Sequence, residues 1–177
     1  MKILLHICCA PCSIYPVKTM SQEGADVTGF FYNNNIHPYT EYLKRRDTLV
    51  QYGKIAGFEV IFRDEYDLEG FLRAAAFREK ERCAYCYFDR LDTTARYAKA
   101  AGFDSFTTTL LYSIYQKHEM IKEIGESAGK SAGIPFQYRD FRSGWKEGVN
   151  ESRRLELYRQ KYCGCIYSEK ERYMKVK

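Results

Sequence analysis

Seven cysteines carry the chemistry open to this chain, and they fall into three groups: Cys8, Cys9 and Cys12; Cys83 and Cys86; Cys163 and Cys165. Every group sits at the end of a predicted element, whereas structural cysteines are usually single and buried mid-element as small hydrophobes. Cys83-Ala84-Tyr85-Cys86 at a helix start is a two-ligand clamp. The i, i+3 spacing puts both sulfurs on one side, beside free amides. Alone, such a clamp suits zinc or a disulfide redox pair equally well. Its partner would be Cys8-Cys9, and adjacent strand residues point to opposite faces, so both reach one centre only if the chain turns between them. A cubane tolerates that spread better than a single zinc ion, so the spacing favours a 4Fe-4S cluster on Cys8, Cys9, Cys83 and Cys86 over zinc. Cys163-Gly164-Cys165 differs in kind. It closes a disulfide only in a tight, strained ring suited to redox work, and when reduced it offers two ligands to another metal ion. Cys12 is left as a spare ligand or as packing under the turn.

The chain's 177 residues suffice for one α/β domain over 1–177 with a sizeable core. A 45% hydrophobic and 29% charged composition is ordinary for a globular protein, but 16 Tyr and 11 Phe are many, and such rings pack, hydrogen-bond or stack on bases. A net charge of +5 permits an anionic partner such as RNA without demanding one. No apolar run approaches the roughly 20 residues of a membrane span. The apolar start through Cys8 is shorter than the ~7–15 residues of a signal peptide core and holds His6, so a lipoprotein leader is rejected. A cytoplasmic location follows as an expectation. There thiols stay reduced, and seven cysteines point to metal or redox chemistry rather than structural staples.

The hydropathy pattern places these thiols. Lys2 to Ile7 reads as a buried strand, followed by a turn at Pro11, a Ser13 cap and a short helix over 14–22. Thiols at a strand-to-helix turn lie at the carboxyl end of a strand, where open α/β sheets bind ligands and helix-start amides favour anions and thiolates. Further strands are expected at Val27–Tyr32, Phe58–Phe62, Phe106–Leu111 and Ile134–Tyr138. Helices are expected from Pro38 to Gly57, over Asp67–Phe77, Cys83–Ala101 and Gln116–Ala128, and from a cap at Asn150 through Tyr162. The run Arg78–Arg82 reads as a solvated charged turn. Alternating strands and helices mean a parallel sheet flanked by helices, with a helical C-terminal extension from about residue 143 lying over the sheet's carboxyl edge.

The chain resembles the QueH-type epoxyqueuosine reductases, which complete queuosine synthesis in tRNA. The resemblance is carried by Leu5-His6-Ile7-Cys8-Cys9-Ala10-Pro11-Cys12-Ser13, by Asn35-Ile36-His37-Pro38 with Glu41-Tyr42, and by Arg82-Cys83-Ala84-Tyr85-Cys86-Tyr87 with Arg90-Leu91. It continues through Thr108-Thr109-Leu110, Tyr115-Gln116-Lys117-His118, Asp140-Phe141-Arg142 with Trp145, and Tyr158 to Tyr167 around Cys163-Gly164-Cys165. Asn34 and Ile114 stand where proline is expected, which bears on loop shape rather than chemistry. The resemblance implies a Rossmann-like fold of the HUP type, the 4Fe-4S cluster on Cys8, Cys9, Cys83 and Cys86, and Cys163 and Cys165 as a redox-active pair. It also leaves room for an additional mononuclear iron.

The implied reaction removes the epoxide oxygen of epoxyqueuosine in a tRNA anticodon loop, which takes two electrons and two protons from an unidentified electron donor. Proton-donor candidates by type and position are His37, His118, Asp67 and Asp140. Each has a structural role of equal weight: a loop hydrogen-bonder, a helix-face residue, a helix cap and a partner of Arg142, respectively. Of the two aspartates, Asp140 is the better candidate to complete a second iron's coordination. Arg142, Lys146, Arg153, Arg154, Arg159 and Lys161, with Trp145, Tyr158 and Tyr162 interleaved, can track phosphates and stack bases, although mixed acidic residues suit a plain surface helix nearly as well. Two other classes compete: a zinc-stapled nucleotide- or RNA-binding domain without redox activity, and a thiol–disulfide oxidoreductase using Cys83/Cys86 and Cys163/Cys165.

Overall fold

The computed structural model describes residues 1–174, so the last three residues of the expected 1–177 domain lie outside the described residues. The first apolar run forms β1 (Lys2–His6), whose Leu4 and Leu5 are fully buried because both faces of the strand are covered. It is followed by α1 (Ala10–Gln22), β2 (Asp26–Phe31), α2 (Tyr39–Ala56), β3 (Val60–Phe62), α3 (Leu68–Ala75), α4 (Arg82–Ala100) and β4 (Ser105–Thr108). Then come α5 (His118–Ala132), α6 (Trp145–Arg154) and α7 (Ile166–Tyr173). The strands make one parallel sheet in the order β3-β2-β1-β4, with His6 opposite Phe30 on one side and Thr108 on the other. Helices flank it, and among the described residues no helix is long and apolar enough to cross a membrane.

Several expected boundaries move. The helix after the first turn begins at Ala10, with Cys9 as its N-cap in an extended conformation, and Ser13 donates to the Ala10 carbonyl instead of capping. β4 stops at Thr108 and the chain enters a 3-10 turn over Thr109–Tyr112, where the Thr108 hydroxyl accepts from the Leu110 amide. The expected fifth strand reduces to one bridge between Phe106 and Phe136. Pro135 has no N–H to donate and contributes only its carbonyl, to Phe106 at 3.1 Å.

The C-terminal extension is helical but broken. α6 starts at Trp145, so Asn150 lies inside it rather than at its cap. The helix ends because Glu156 turns to φ +52 and the Leu157 amide bonds back to the Ser152 carbonyl at 3.0 Å, a 6→1 termination. From there to Cys165 the chain is irregular, and this frees Tyr158 to Gly164 to cross the carboxyl edge of the sheet. α6 packs on α1: Gly144 leaves room for the Tyr15 ring, and Lys18 pairs with Glu147 at 2.6 Å.

Candidate metal and redox site

β1 delivers Cys8 to the carboxyl edge, and the next residue begins a helix. Cys9 at the N-cap and Cys12 one turn later therefore share a face, and their sulfurs lie 2.6 Å apart. Cys8 completes the set: its sulfur is 3.9 Å from that of Cys9, and all three ligand atoms lie within 4.8 Å of one another. Cys9 and Cys12 are buried, and Cys8 is half-buried beside the Thr109 hydroxyl. Hydrogen bonds from Cys12 and then Cys9 hold the Cys8 thiol well below its ordinary range. Burial pushes Cys9 up, and its neighbours' sulfurs push Cys12 up. With one thiol lowered and its two neighbours raised, full deprotonation of the three calls for a cation among them.

This geometry corrects the expected ligand set. Among the described residues, the thiols close enough to share a metal ion are Cys8, Cys9 and Cys12, a site suited to one ion and not to a four-ligand 4Fe-4S cluster on Cys8, Cys9, Cys83 and Cys86. The physical reason is the turn. Because Cys9 is the N-cap of α1, its i, i+3 partner is Cys12, which fills the place assigned to the clamp from α4. Cys12 thus stands with Cys8 and Cys9 in the three-thiol group instead of packing apart from it.

Cys83 and Cys86 still face the same space. A cavity of about 630 Å³ at the carboxyl edge is lined by Cys8, Cys12, Cys83, Cys86, Cys163 and Cys165. Cys86, on the first turn of α4, is buried, which pushes its thiol up to about 12, while the neighbouring Arg90 guanidinium works against that shift. Arg90 lies one turn on, fully buried, and donates to the Cys86 carbonyl at 2.9 Å and sulfur at 3.0 Å. Cys163 is exposed and accepts from the Gln116 amide at 3.3 Å, and Gln116 accepts in turn from Tyr87. Cys165 is buried, caps α7 and accepts from the Ser168 amide. The same wall carries Arg82, Arg90, Lys117, Arg159, Lys161 and Arg172 against the single carboxylate of Glu171.

The four proton-donor candidates lie outside the cavity lining. Asp67 caps α3 by accepting from Gly70 at 2.9 Å. Asp140 is gripped by the Arg142 guanidinium, which lowers its carboxyl to about 2. His118 opens α5 and contacts the Ser113 carbonyl at 3.3 Å. His37 uses both ring nitrogens: Nδ1 accepts from the Ile166 amide, so Nε2 carries the proton and donates to the Asn34 carbonyl at 3.0 Å. Of the basic and aromatic residues proposed to track RNA, Arg159, Lys161, Trp145 and Tyr162 reach the cavity. Arg142 and Arg154 are held by Asp140 and Glu151, and Tyr158 donates to Glu41.

Residue types alone did not single out Arg45, Arg90 or Gln160. The first two look like ordinary helix charges, and Gln160 bonds Cys9 only because the extension is broken. The helical repeat offered one signal: Arg90 and Arg45 fall in register with buried apolar positions of α4 and α2.

Among known proteins the chain is similar both to solved structures and to sequence relatives. At 15–16% identity the solved structures show the fold alone. The U34-tRNA thiolase NcsA of Methanococcus maripaludis, solved with its 4Fe-4S cluster, superimposes with a TM-score of 0.63 at 16% identity, over 95% of this chain and 61% of that one. A predicted tRNA methyltransferase subunit of Methanocaldococcus jannaschii gives 0.55 at 15% identity, over 86% and 76%. Sequence relatives are far nearer. Epoxyqueuosine reductase QueH of Dehalococcoides mccartyi is 36% identical over 174 residues, 98% of this chain and 96% of that protein. The Thermotoga maritima protein of the same name is 36% identical over 188 residues, 96% and 91%. The family profile described as Epoxyqueuosine reductase QueH matches residues 3–171. With the match running from the first strand, through every thiol that borders the cavity, to the last helix, the chain belongs to the epoxyqueuosine reductase QueH family.

Proposed function

We propose that this protein removes the epoxide oxygen of epoxyqueuosine in a tRNA anticodon loop, leaving an alkene, and that it works in the cytoplasm as a single α/β domain. The observation that carries this reading is the one cavity in which six thiols meet a basic wall. Sulfur supplies reducing equivalents, and Arg159, Lys161 and Lys117 suit a phosphate backbone. Trp145, with Tyr115 edge-on at 5.7 Å, gives a splayed base an aromatic surface. The strand order β3-β2-β1-β4, with the site at the carboxyl edge, supports a Rossmann-like sheet of the HUP type.

The reaction balances on the chain's own groups. Epoxide plus two electrons and two protons gives alkene plus water. Cys163 and Cys165 release two electrons and two protons on closing to a disulfide, and an external electron donor reopens it. The strain of that ring makes the oxidised pair easy to reduce again. Cys8, Cys9 and Cys12 are the residues that would hold a thiophilic metal ion, which when bound supplies a Lewis acid toward the epoxide oxygen. Gln116 orients Cys163, and Cys165 is fixed by its cap bonds, so the pair stays at the cavity wall.

Anaerobic incubation with epoxyqueuosine-containing tRNA and a low-potential reductant, read by nucleoside mass analysis, tests the assignment. Queuosine is expected from the wild type, and turnover is expected to vanish in Cys163→Ser and Cys165→Ser. Full activity in both variants removes the pair from the reaction. A second reading, a zinc-stapled RNA-binding domain without redox activity, is favoured by one observation: the gathered thiols are a three-sulfur set for one ion. Tight tRNA binding, one zinc per chain and no conversion would establish it.

A further inference from the structure

Arg45 is 1% exposed in the middle of α2, and burying a guanidinium is costly unless its donors are all used. Its Nε donates to Glu41 at 2.7 Å, one turn earlier. The other two nitrogens leave the helix: one donates to the Cys163 carbonyl at 2.8 Å, the other to the Tyr162 carbonyl at 3.0 Å. Glu41 is itself oriented by the Tyr158 hydroxyl, which comes from the same C-terminal segment. A buried ion pair adds little net stability compared with apolar packing, so its value here is geometric. The planar fork engages two successive carbonyls from two fixed nitrogens, a geometry that a single ammonium on a flexible stem does not hold.

The segment it grips has no backbone ladder of its own and is held by bonds from other elements. Residues 155–165 form no helix or strand, and Gly164 packs against Asn35 and Ile36 at φ +158. The other ties are scattered single bonds: the His37 amide donates to the Gly164 carbonyl at 2.8 Å, Tyr162 donates to the His37 carbonyl, Gln160 donates to the Cys9 sulfur at 2.9 Å, and Gln116 donates to the Cys163 sulfur at 3.3 Å. We propose that Arg45 is a positioning residue whose fork of donors holds Tyr162 and Cys163 by their carbonyls and so sets Cys163-Gly164-Cys165 against the cavity. The placement stands on geometry alone. Its consequence for turnover rests on the reading of Cys163 and Cys165 as the working pair.

The test is peptide-resolved alkylation by iodoacetamide of the reduced full-length protein, comparing wild type, Arg45→Lys and Tyr158→Phe. Cys165 is buried at the end of the gripped segment, while Cys86, buried on α4 and held there by Arg90, serves as the internal control. Arg45→Lys keeps the charge and loses the fork. Cys165 is expected to react at least about tenfold faster, with Cys86 unchanged, because charged hydrogen bonds to two carbonyls are lost. Tyr158→Phe, which only frees Glu41, is expected to give a smaller rise of the same kind and carries the test if Arg45→Lys does not fold. An unchanged Cys165 rate overturns the proposal, and so does a parallel rise in Cys165 and Cys86, which marks a general packing role. In the tRNA assay Arg45→Lys is expected to lower kcat at unchanged KM. Faster alkylation with undiminished turnover upholds the role of Arg45 and sinks instead the use of Cys163 and Cys165 in the reaction.

Discussion

The side-chain amide of Gln160 donates to the sulfur of Cys9 at 2.9 Å, joining the C-terminal extension to the three-thiol site across a separation of 151 residues. It also reaches Cys12 at 3.4 Å. A donor aimed at a ligand sulfur steadies its charge and fixes its orientation, so the extension belongs to the site and does not merely cover it.

From this bond follows a metal-affinity prediction. Zinc added alone to the reduced protein, followed by chelator competition, is expected to show one ion held by the three-thiol site in the wild type. Gln160→Ala is expected to weaken that ion by about 10–100-fold, the usual cost of losing an outer-shell partner. Cys12→Ser is expected to abolish the site. An unaltered affinity in Cys12→Ser would remove Cys12 from the ligand set.

Acid should destabilise the protein through His6. This imidazole is fully buried between the Thr108 hydroxyl and the Tyr32 carbonyl, and burial, reinforced by Arg90, lowers it from 6.5 to about 4. The unfolded chain therefore takes up the proton first as pH falls. Stability from this group is whole above 6.5 and is lost on descending through the window between 6.5 and about 4. By pH 5 the loss should be about 2 kcal/mol, seen as a drop in the denaturation midpoint that His6→Gln flattens.

Docking of the extension can be tested away from the cavity. A Cβ on Gly144 would run into the Tyr15 ring of α1, where the two elements pack most closely. Gly144→Ala is expected to cost about 1–3 kcal/mol as an overpacking change. Thermal denaturation would measure it. A loss well below that range would mean that the ring moves aside freely.

Some of this molecule was legible in residue order. The buried run at Lys2–Ile7, the helical repeats around Tyr42 and Leu91, and the glycines at 57 and 102 locate β1, α2 and α4 closely, because local hydropathy and backbone preference dominate there. The two helix-start cysteines, 83 and 86, were placed correctly for the same reason. Family membership was also legible, since motif spacing survives where structure is not consulted. What the order of residues could not decide was the grouping of sulfurs. Whether Cys9 ends a strand or starts a helix moves its side chain from one partner to another, and only packing of α1 against the sheet and α6 settles that by a single residue. Nor could it show the break after Arg154, where one left-handed residue turns an expected helix into a segment that carries Gln160 onto Cys9 and Cys163 onto Arg45. Local propensities are summed over a few neighbours. The bonds from Gln160 to Cys9 and from Arg45 to Cys163 join residues more than a hundred apart, and only the folded chain brings them together.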